Sequence, residues 1–165
     1  MKQVKLTNRL KALADLIGTG ASIIDVGTDH GYLPVYLAQK GLAQKVFASD
    51  ISAASLNAAK RTAKKSNITE LITFLIAPGL DGISPADVDT VVIAGMGGET
   101  IVRILENAPW LKIKRKKLIL QPQSKIDILF KFLYDTGYDI KEVKYVNEKR
   151  KRYLILHTEG TEQND

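Results

Sequence analysis

Ser22-Ile23-Ile24-Asp25-Val26-Gly27-Thr28-Asp29-His30-Gly31-Tyr32-Leu33-Pro34 reads as a buried strand, a glycine turn and the start of a helix. Ile23, Ile24 and Val26 make a short apolar run of the kind that a parallel sheet covers on both faces. Gly27 permits a tight turn and lets a ligand approach bare backbone. Pro34 falls in the first turn of the next helix, where its missing N–H loses no hydrogen bond. A helix N-terminus at the carboxyl end of a strand attracts polar ligand groups.

The same unit recurs along the chain. Residues 6–17 predict an amphipathic helix, with Thr7 as N-cap, Leu10, Leu13, Leu16 and Ile17 on one face, and Gly18 and Gly20 after it. After the opening strand, helices are expected over Tyr32–Lys40, Ala53–Lys65, Glu99–Asn107 and Ile126–Tyr134, the last capped by Ser124. Strands are expected over Lys45–Ser49, Ile68–Ile76, Asp89–Ala94 and Lys116–Gln121. Tyr138–Val146 and Arg152–His157 read as a closing pair. Alternating strands and helices predict a doubly wound, mostly parallel α/β sheet with right-handed crossovers. The polar, glycine-rich loops all follow strands, so they share the edge where such sheets bind ligands.

Two common ligand classes fail on spacing. Asp25-x-Gly27-x-x-x-Gly31 is neither the Gly-x-Gly-x-x-Gly of dinucleotide sites nor a P-loop. A loop of this form also serves S-adenosylmethionine in class I methyltransferases, and it also occurs as a plain strand–turn–helix junction. Asp50 ends the second strand about 20 residues beyond Gly31, where an acid can accept both ribose hydroxyls; it can equally cap the helix that starts near Ser52. Ala77-Pro78-Gly79-Leu80 reads as an adenine wall or a simple turn. Gly95-Met96-Gly97-Gly98 reads as backbone open to a flat base, or as helix-start packing.

Length and composition bound the rest. At 165 residues, one domain is expected over residues 1–157, followed by a frayed, disordered tail over 158–165. Hydrophobic residues are 45% and charged residues 25%, enough for a full core. The absence of Cys excludes disulfides and thiolate metal sites, and two histidines, His30 and His157, argue against a multi-histidine one, so no metal is expected. No apolar run approaches the ~20 residues of a membrane span, and no secretory signal is legible, so a cytoplasmic protein with no membrane partner is expected. Net charge is +6, and 13 of the 24 Lys and Arg residues lie between Lys112 and Arg152 against 5 of the 18 acids. That imbalance fits a polyanion such as RNA, or a solvated lysine-rich surface.

Taken together, Gly27-Thr28-Asp29-His30-Gly31-Tyr32-Leu33-Pro34, Ser49-Asp50-Ile51, Ala94-Gly95-Met96-Gly97-Gly98 and Leu120-Gln121-Pro122-Gln123 resemble the bacterial tRNA (adenine-22-N1)-methyltransferase family over nearly the whole chain. The resemblance implies a class I methyltransferase fold: a seven-stranded, Rossmann-like sheet with an antiparallel closing strand. It also implies S-adenosylmethionine as cofactor and tRNA as substrate. By that resemblance Asp25, Gly27, His30, Gly31 and Tyr32 frame the methionine end of the cofactor. Asp50 holds the ribose, Ile51 packs on the adenine, Gly79 and Leu80 lie beside it, and Gly95 and Met96 close the pocket. Gly97 and Gly98 would offer backbone to the target base, Asp29 would lie near the transfer site, and Arg9, Gln121 and Pro122 would stand at the cleft mouth. An RNA module that binds the cofactor or a nucleotide without turnover, or a methyltransferase with another substrate, are the alternative readings.

Two departures stand out. Where the family carries Gly-Asp-Gly-Leu, this chain has Ala77-Pro78-Gly79-Leu80, so the acid expected at the adenine amino group is replaced and Asp81 is the nearest substitute. Family members also continue into a helical C-terminal region, so either that region has been removed here or RNA binding rests on the basic surface.

Overall fold

The computed structural model describes residues 3–161. Helix α1 (Asn8–Ile17) precedes β1 (Ala21–Val26), α2 (Tyr32–Gln39), β2 (Ala43–Asp50) and α3 (Ala53–Lys65). A single 3-10 turn, Thr69–Leu71, leads into β3 (Ile72–Ile76). Then come β4 (Thr90–Met96), α4 (Gly98–Glu106), a short α5 (Trp110–Ile113), β5 (Lys117–Pro122), α6 (Ile126–Asp135), β6 (Asp139–Glu148) and β7 (Lys151–Glu159).

The strands form one seven-stranded sheet in the order β3-β2-β1-β4-β5-β7-β6. The first five pair in parallel, and β7 runs antiparallel to both β5 and β6. This is the expected doubly wound architecture with its antiparallel closing strand. The winding direction reverses between β1 and β4, and the loops that leave those two strands diverge around a crevice.

Strand alternation divides the core into two layers. Ile23, Val92 and Ile119 pack toward α1, α2 and α3, whereas Ile24, Val91, Ile93, Leu118 and Leu120 pack toward α4, α5 and α6. The same alternation turns Asp25 and Gln121 to the α1 side. There α1 begins at Thr7, whose side chain accepts the Leu10 N–H, as its N-cap role requires.

Three local expectations are corrected. Ser124 does not cap α6; Lys125 holds that position at φ 52° with no side-chain cap. The Ser124 carbonyl is committed instead to the Gly98 N–H (2.7 Å) at the start of α4. The ordered domain runs past His157, because Thr158 and Glu159 pair with Leu118 and Lys117 and Thr158 is fully buried. Of the expected tail, residues 162–165 lie outside the described residues. The basic residues also divide between opposite ends of the sheet: Lys112–Lys117 precede or start β5, whereas Lys149–Arg152 cap the β6–β7 hairpin at the carboxyl edge. Among the described residues, no helix is long and apolar enough to cross a membrane, and no three His, Cys, Asp or Glu residues cluster as metal ligands.

Candidate active site

The turn after β1 is built from backbone hydrogen bonds. Gly27 and Thr28 both donate their N–H groups to the Ser49 carbonyl at 2.9 Å. Gly27 (φ 72°), Asp29 (φ 55°) and Gly31 (φ 74°) all adopt the left-handed conformation that glycine enters most easily. A Cβ on Gly31 would lie 2.7 Å from the Ala59 Cβ, so Gly31 seats α2 on α3. A Cβ on Gly27 would meet only the tip of Met96, across the crevice.

Asp50 locks this turn. One of its oxygens accepts the Asp29 N–H (3.1 Å) and the other the Ser52 N–H (3.0 Å). Each carboxylate oxygen has a second lone pair, which these bonds leave available. Ser52 is itself the N-cap of α3, so Asp50 steadies the approach to the helix without being its cap. Ile51 follows with 74% of its surface exposed, an apolar side chain held open at the rim.

Two cavities meet at this point. The larger, about 620 Å³, is lined by Asp25, Gly27, Asp29, His30 and Tyr32, and by Gly95 and Met96 from across the crevice. The smaller, about 340 Å³, is lined by Pro78, Gly79, Leu80 and Asp81, and by α4 and α5 residues that include Thr100 and Trp110. Gly27, Asp50, Ile51 and Met96 line both, so the two form one channel along the carboxyl edge. Their sizes lie within the range of cofactor sites, about 300–1,000 Å³. His30 and Tyr32 stack on the wall of the larger cavity, ring centroids 5.4 Å apart.

Asp25 is the buried acid of the site. Burial pushes its carboxyl up to about 7, against the opposing pull of the Thr28 hydroxyl bonded to it (2.9 Å) and the Arg9 guanidinium. Arg9 reaches in from the first turn of α1, donates to the Gln121 side-chain carbonyl (2.9 Å) and lies 5.7 Å from the Tyr153 ring centroid. Its backbone N–H donates to Glu148 at 2.9 Å.

The structure thus brings together most of the residues expected at the cofactor. It does not bring Gly97, Gly98, Gln121 or Pro122 to either cavity. A Cβ on Gly98 would lie 2.1 Å from the Lys125 carbonyl, its N–H is taken by Ser124, and the Gly97 carbonyl accepts the Thr100 and Ile101 N–H groups. Both glycines sit at the start of α4, where the Gly98 N–H and the Gly97 carbonyl are taken by the fold. Gln121 is buried and holds Arg9 in place. Gln123, two residues on, lines the larger cavity instead and donates its side-chain amide to the Gly95 carbonyl. Glu148 and Trp110 are not singled out by the sequence, because each reaches the site through the packing of distant segments; Thr28, in the turn itself, is passed over because the spacing pattern rests on its acid and glycines.

Comparison with known proteins places this arrangement. Residues 6–156 match the family described as Methyltransferase domain. The tRNA (adenine(22)-N(1))-methyltransferase of Bacillus subtilis is 32% identical over 160 residues, covering 97% of this chain and 67% of that protein. A Streptococcus pneumoniae protein solved in complex with S-adenosyl-L-methionine is 32% identical with a TM-score of 0.89, covering 98% of this chain and 76% of that one. TrmK of M. capricolum, solved with S-adenosyl-homocysteine, is 29% identical with a TM-score of 0.83, over 96% of this chain and 71% of that one.

Proposed function

This chain belongs to the tRNA (adenine(22)-N(1))-methyltransferase family, and from that premise we propose that it methylates N1 of adenine 22 in tRNA, using S-adenosylmethionine. The observation that carries the reading is the single channel whose two halves meet at Asp50 and Ile51 and open toward the turn after β4. The residues fit the cofactor. Asp50 retains one acceptor site on each oxygen for a ribose diol. Ile51 offers apolar surface to a purine, and Asp81 is a second acid, in addition to Asp50, on the lining of the smaller cavity. Asp25, buried beside the turn, would meet the cationic amino group and ionise in its presence.

When bound, the cofactor supplies an electrophilic methyl group on a sulfonium. Adenine N1 carries its own lone pair, so no side chain has to remove a proton first, and the chain's main contribution is alignment. N1 lies on the Watson–Crick edge, so the base must be unpaired or extruded to enter the larger cavity. The Gly95 carbonyl has one acceptor site left beside Gln123 and would take the base's amino group. The methylated ring is cationic, and Asp29, on the lining of that cavity, would stabilise the developing charge. Arg9, fixed by Gln121 and Glu148, would steer the RNA backbone at the mouth.

The test is to incubate tRNA transcripts with S-adenosylmethionine and map the modified nucleoside by mass spectrometry. N1-methyladenosine at position 22 is the expected product. Cofactor binding by calorimetry without any methylated adenosine would instead mark a binding module without turnover.

A further inference from the structure

The β6–β7 hairpin extends past its neighbour. Leu156 is level with Leu120, β5 ends at Pro122, and β7 begins at Lys151. The hairpin therefore overhangs β5 by roughly three residues, about 10 Å. It turns through Lys149 and Arg150, at φ 48° and 66°. A two-residue turn with both φ angles positive favours Asn-Gly, so two long cationic side chains are held in a conformation that disfavours them. The tip is anchored to the start of α1, where Arg9 N–H donates to Glu148 and the Asn8 side chain to the Asn147 carbonyl (3.3 Å).

Between this hairpin and the loop after β5 lies a third cavity of about 430 Å³, lined by Tyr145, Lys151, Arg152, Tyr153 and Gln123. Gln123 also lines the larger cavity of the methyl-transfer channel, so the two share a wall. The Arg152 guanidinium sits 4.1 Å from the centroid of the half-exposed Tyr145 ring. Among the described residues, Lys149, Arg150 and Lys151 form no ion pair. The nearest acid in sequence, Glu148, is engaged with α1. An aromatic–guanidinium platform beside unpaired cations matches the way single-stranded nucleic acid is held, by base stacking and phosphate neutralisation.

We propose that this groove is a second nucleotide site, which holds the RNA residue adjoining the extruded adenine: its base stacks on the Tyr145–Arg152 pair and its phosphates meet Lys149, Arg150 and Lys151. The proposal rests on the tRNA-methyltransferase reading for the identity of the RNA. The Lys112–Lys117 cluster, at the opposite edge of the sheet, takes no part.

The test measures binding of fluorescein-labelled tRNA by anisotropy over a range of salt. Lys149→Asn with Arg150→Gly installs the favoured turn while removing two cations. It should raise Tm by a few degrees, weaken tRNA binding about tenfold, and flatten the salt dependence by about 1.4 in the log–log slope. Tyr145→Ala should weaken binding about tenfold with the slope unchanged. The matched control is Lys114→Asn with Arg115→Gly, which removes two cations at the far edge, one of them also at positive φ (55°); binding should hold within about twofold. Unchanged affinity in both hairpin variants, or an equal loss in the control, overturns the proposal. Methylation by the unmodified chain, assayed in parallel, reports separately on the function on which it rests.

Discussion

The turn after β1 and the turn after β4 look alike in sequence, a pair of glycines bracketing a short polar or apolar step, yet they divide the work differently. In the first, Gly27 makes room for the tip of Met96 from across the crevice and Gly31 seats α2 against Ala59. In the second, Gly95 (φ 79°) has nothing within 4 Å of where a Cβ would be, whereas Gly98 is filled by the Lys125 backbone. The glycine nearer its strand lines the channel in each case, and the one at the helix start serves packing. The turns differ in what fixes them. A carboxylate, Asp50, holds the first through the Asp29 N–H and ties it to the start of α3 through the Ser52 N–H, and a neutral amide, Gln123, holds the second through the Gly95 carbonyl. A charged clamp with spare acceptor sites suits a polar cofactor, and a neutral clamp suits a flat base.

The sharpest way to break this comparison is Gly98→Ala. A Cβ 2.1 Å from a backbone carbonyl cannot be relieved by a rotamer change. The substitution should destabilise the fold by about 3 kcal/mol, read as a fall in Tm. Gly97→Ala meets only the mobile Ser124 hydroxyl at 2.9 Å and should lose less than about 1 kcal/mol, with methylation retained. A loss of methylation in a stable Gly97 variant would return the second turn to direct base contact.

Next in size is Asp50→Ala, which removes the charged clamp. Two charge-assisted hydrogen bonds to the ribose, at about 1.5 kcal/mol each, predict cofactor affinity about 100-fold weaker by calorimetry. The matching change, Gln123→Ala, should leave cofactor affinity within about threefold and raise the KM for tRNA. Equal effects of the two on the cofactor would erase the distinction between the turns.

Asp29→Asn keeps a residue that tolerates the left-handed conformation but removes the charge. A fall in kcat of about tenfold, with cofactor affinity within about twofold, is expected from lost stabilisation of the cationic product. Parallel losses in both would confine Asp29 to shaping the first turn.

The smallest effect concerns Asp25. Its folded value near 7 lies above the ordinary 3.8 because burial disfavours the charged form. Between those values the folded state holds a proton that the unfolded state has released. Stability from this group is therefore full below about pH 4 and is lost as pH rises through 7. The ligand-free protein should gain about 1.4 kcal/mol from pH 7.5 to pH 6 in thermal melts, and Asp25→Asn should abolish that gain. Cofactor affinity should move the other way and weaken as the pH falls below 7.

Much of the fold was legible because its signals are local. Apolar runs such as Thr90–Ile93 mark central strands, Thr7 and Ser52 mark helix starts, and Asp50 stands at the end of its strand. The second turn misled because Gly97 and Gly98 show their residue type but not which neighbour claims their N–H and carbonyl groups. Ser124 fails as a cap because the left-handed Lys125 takes the cap position and leaves Ser124 one residue too early. In Gln121-Pro122-Gln123 the period-two alternation of β5 turns Gln121 inward to Arg9, and only the residue past the strand's end reaches the channel.

By itself the sequence determined the succession of strands, helices and glycine turns, and the edge of the sheet on which a ligand must lie. Those follow from periodicity and backbone freedom within a few residues. Only the tertiary structure decided that Arg9, Gln121 and Glu148 converge, that one glycine of each pair is filled, and that the Lys112–Lys117 cluster lies at the end of the sheet away from the channel. Those depend on how segments far apart in the chain pack, and burial of the two core layers sets that packing with little regard to the polar residues it brings together.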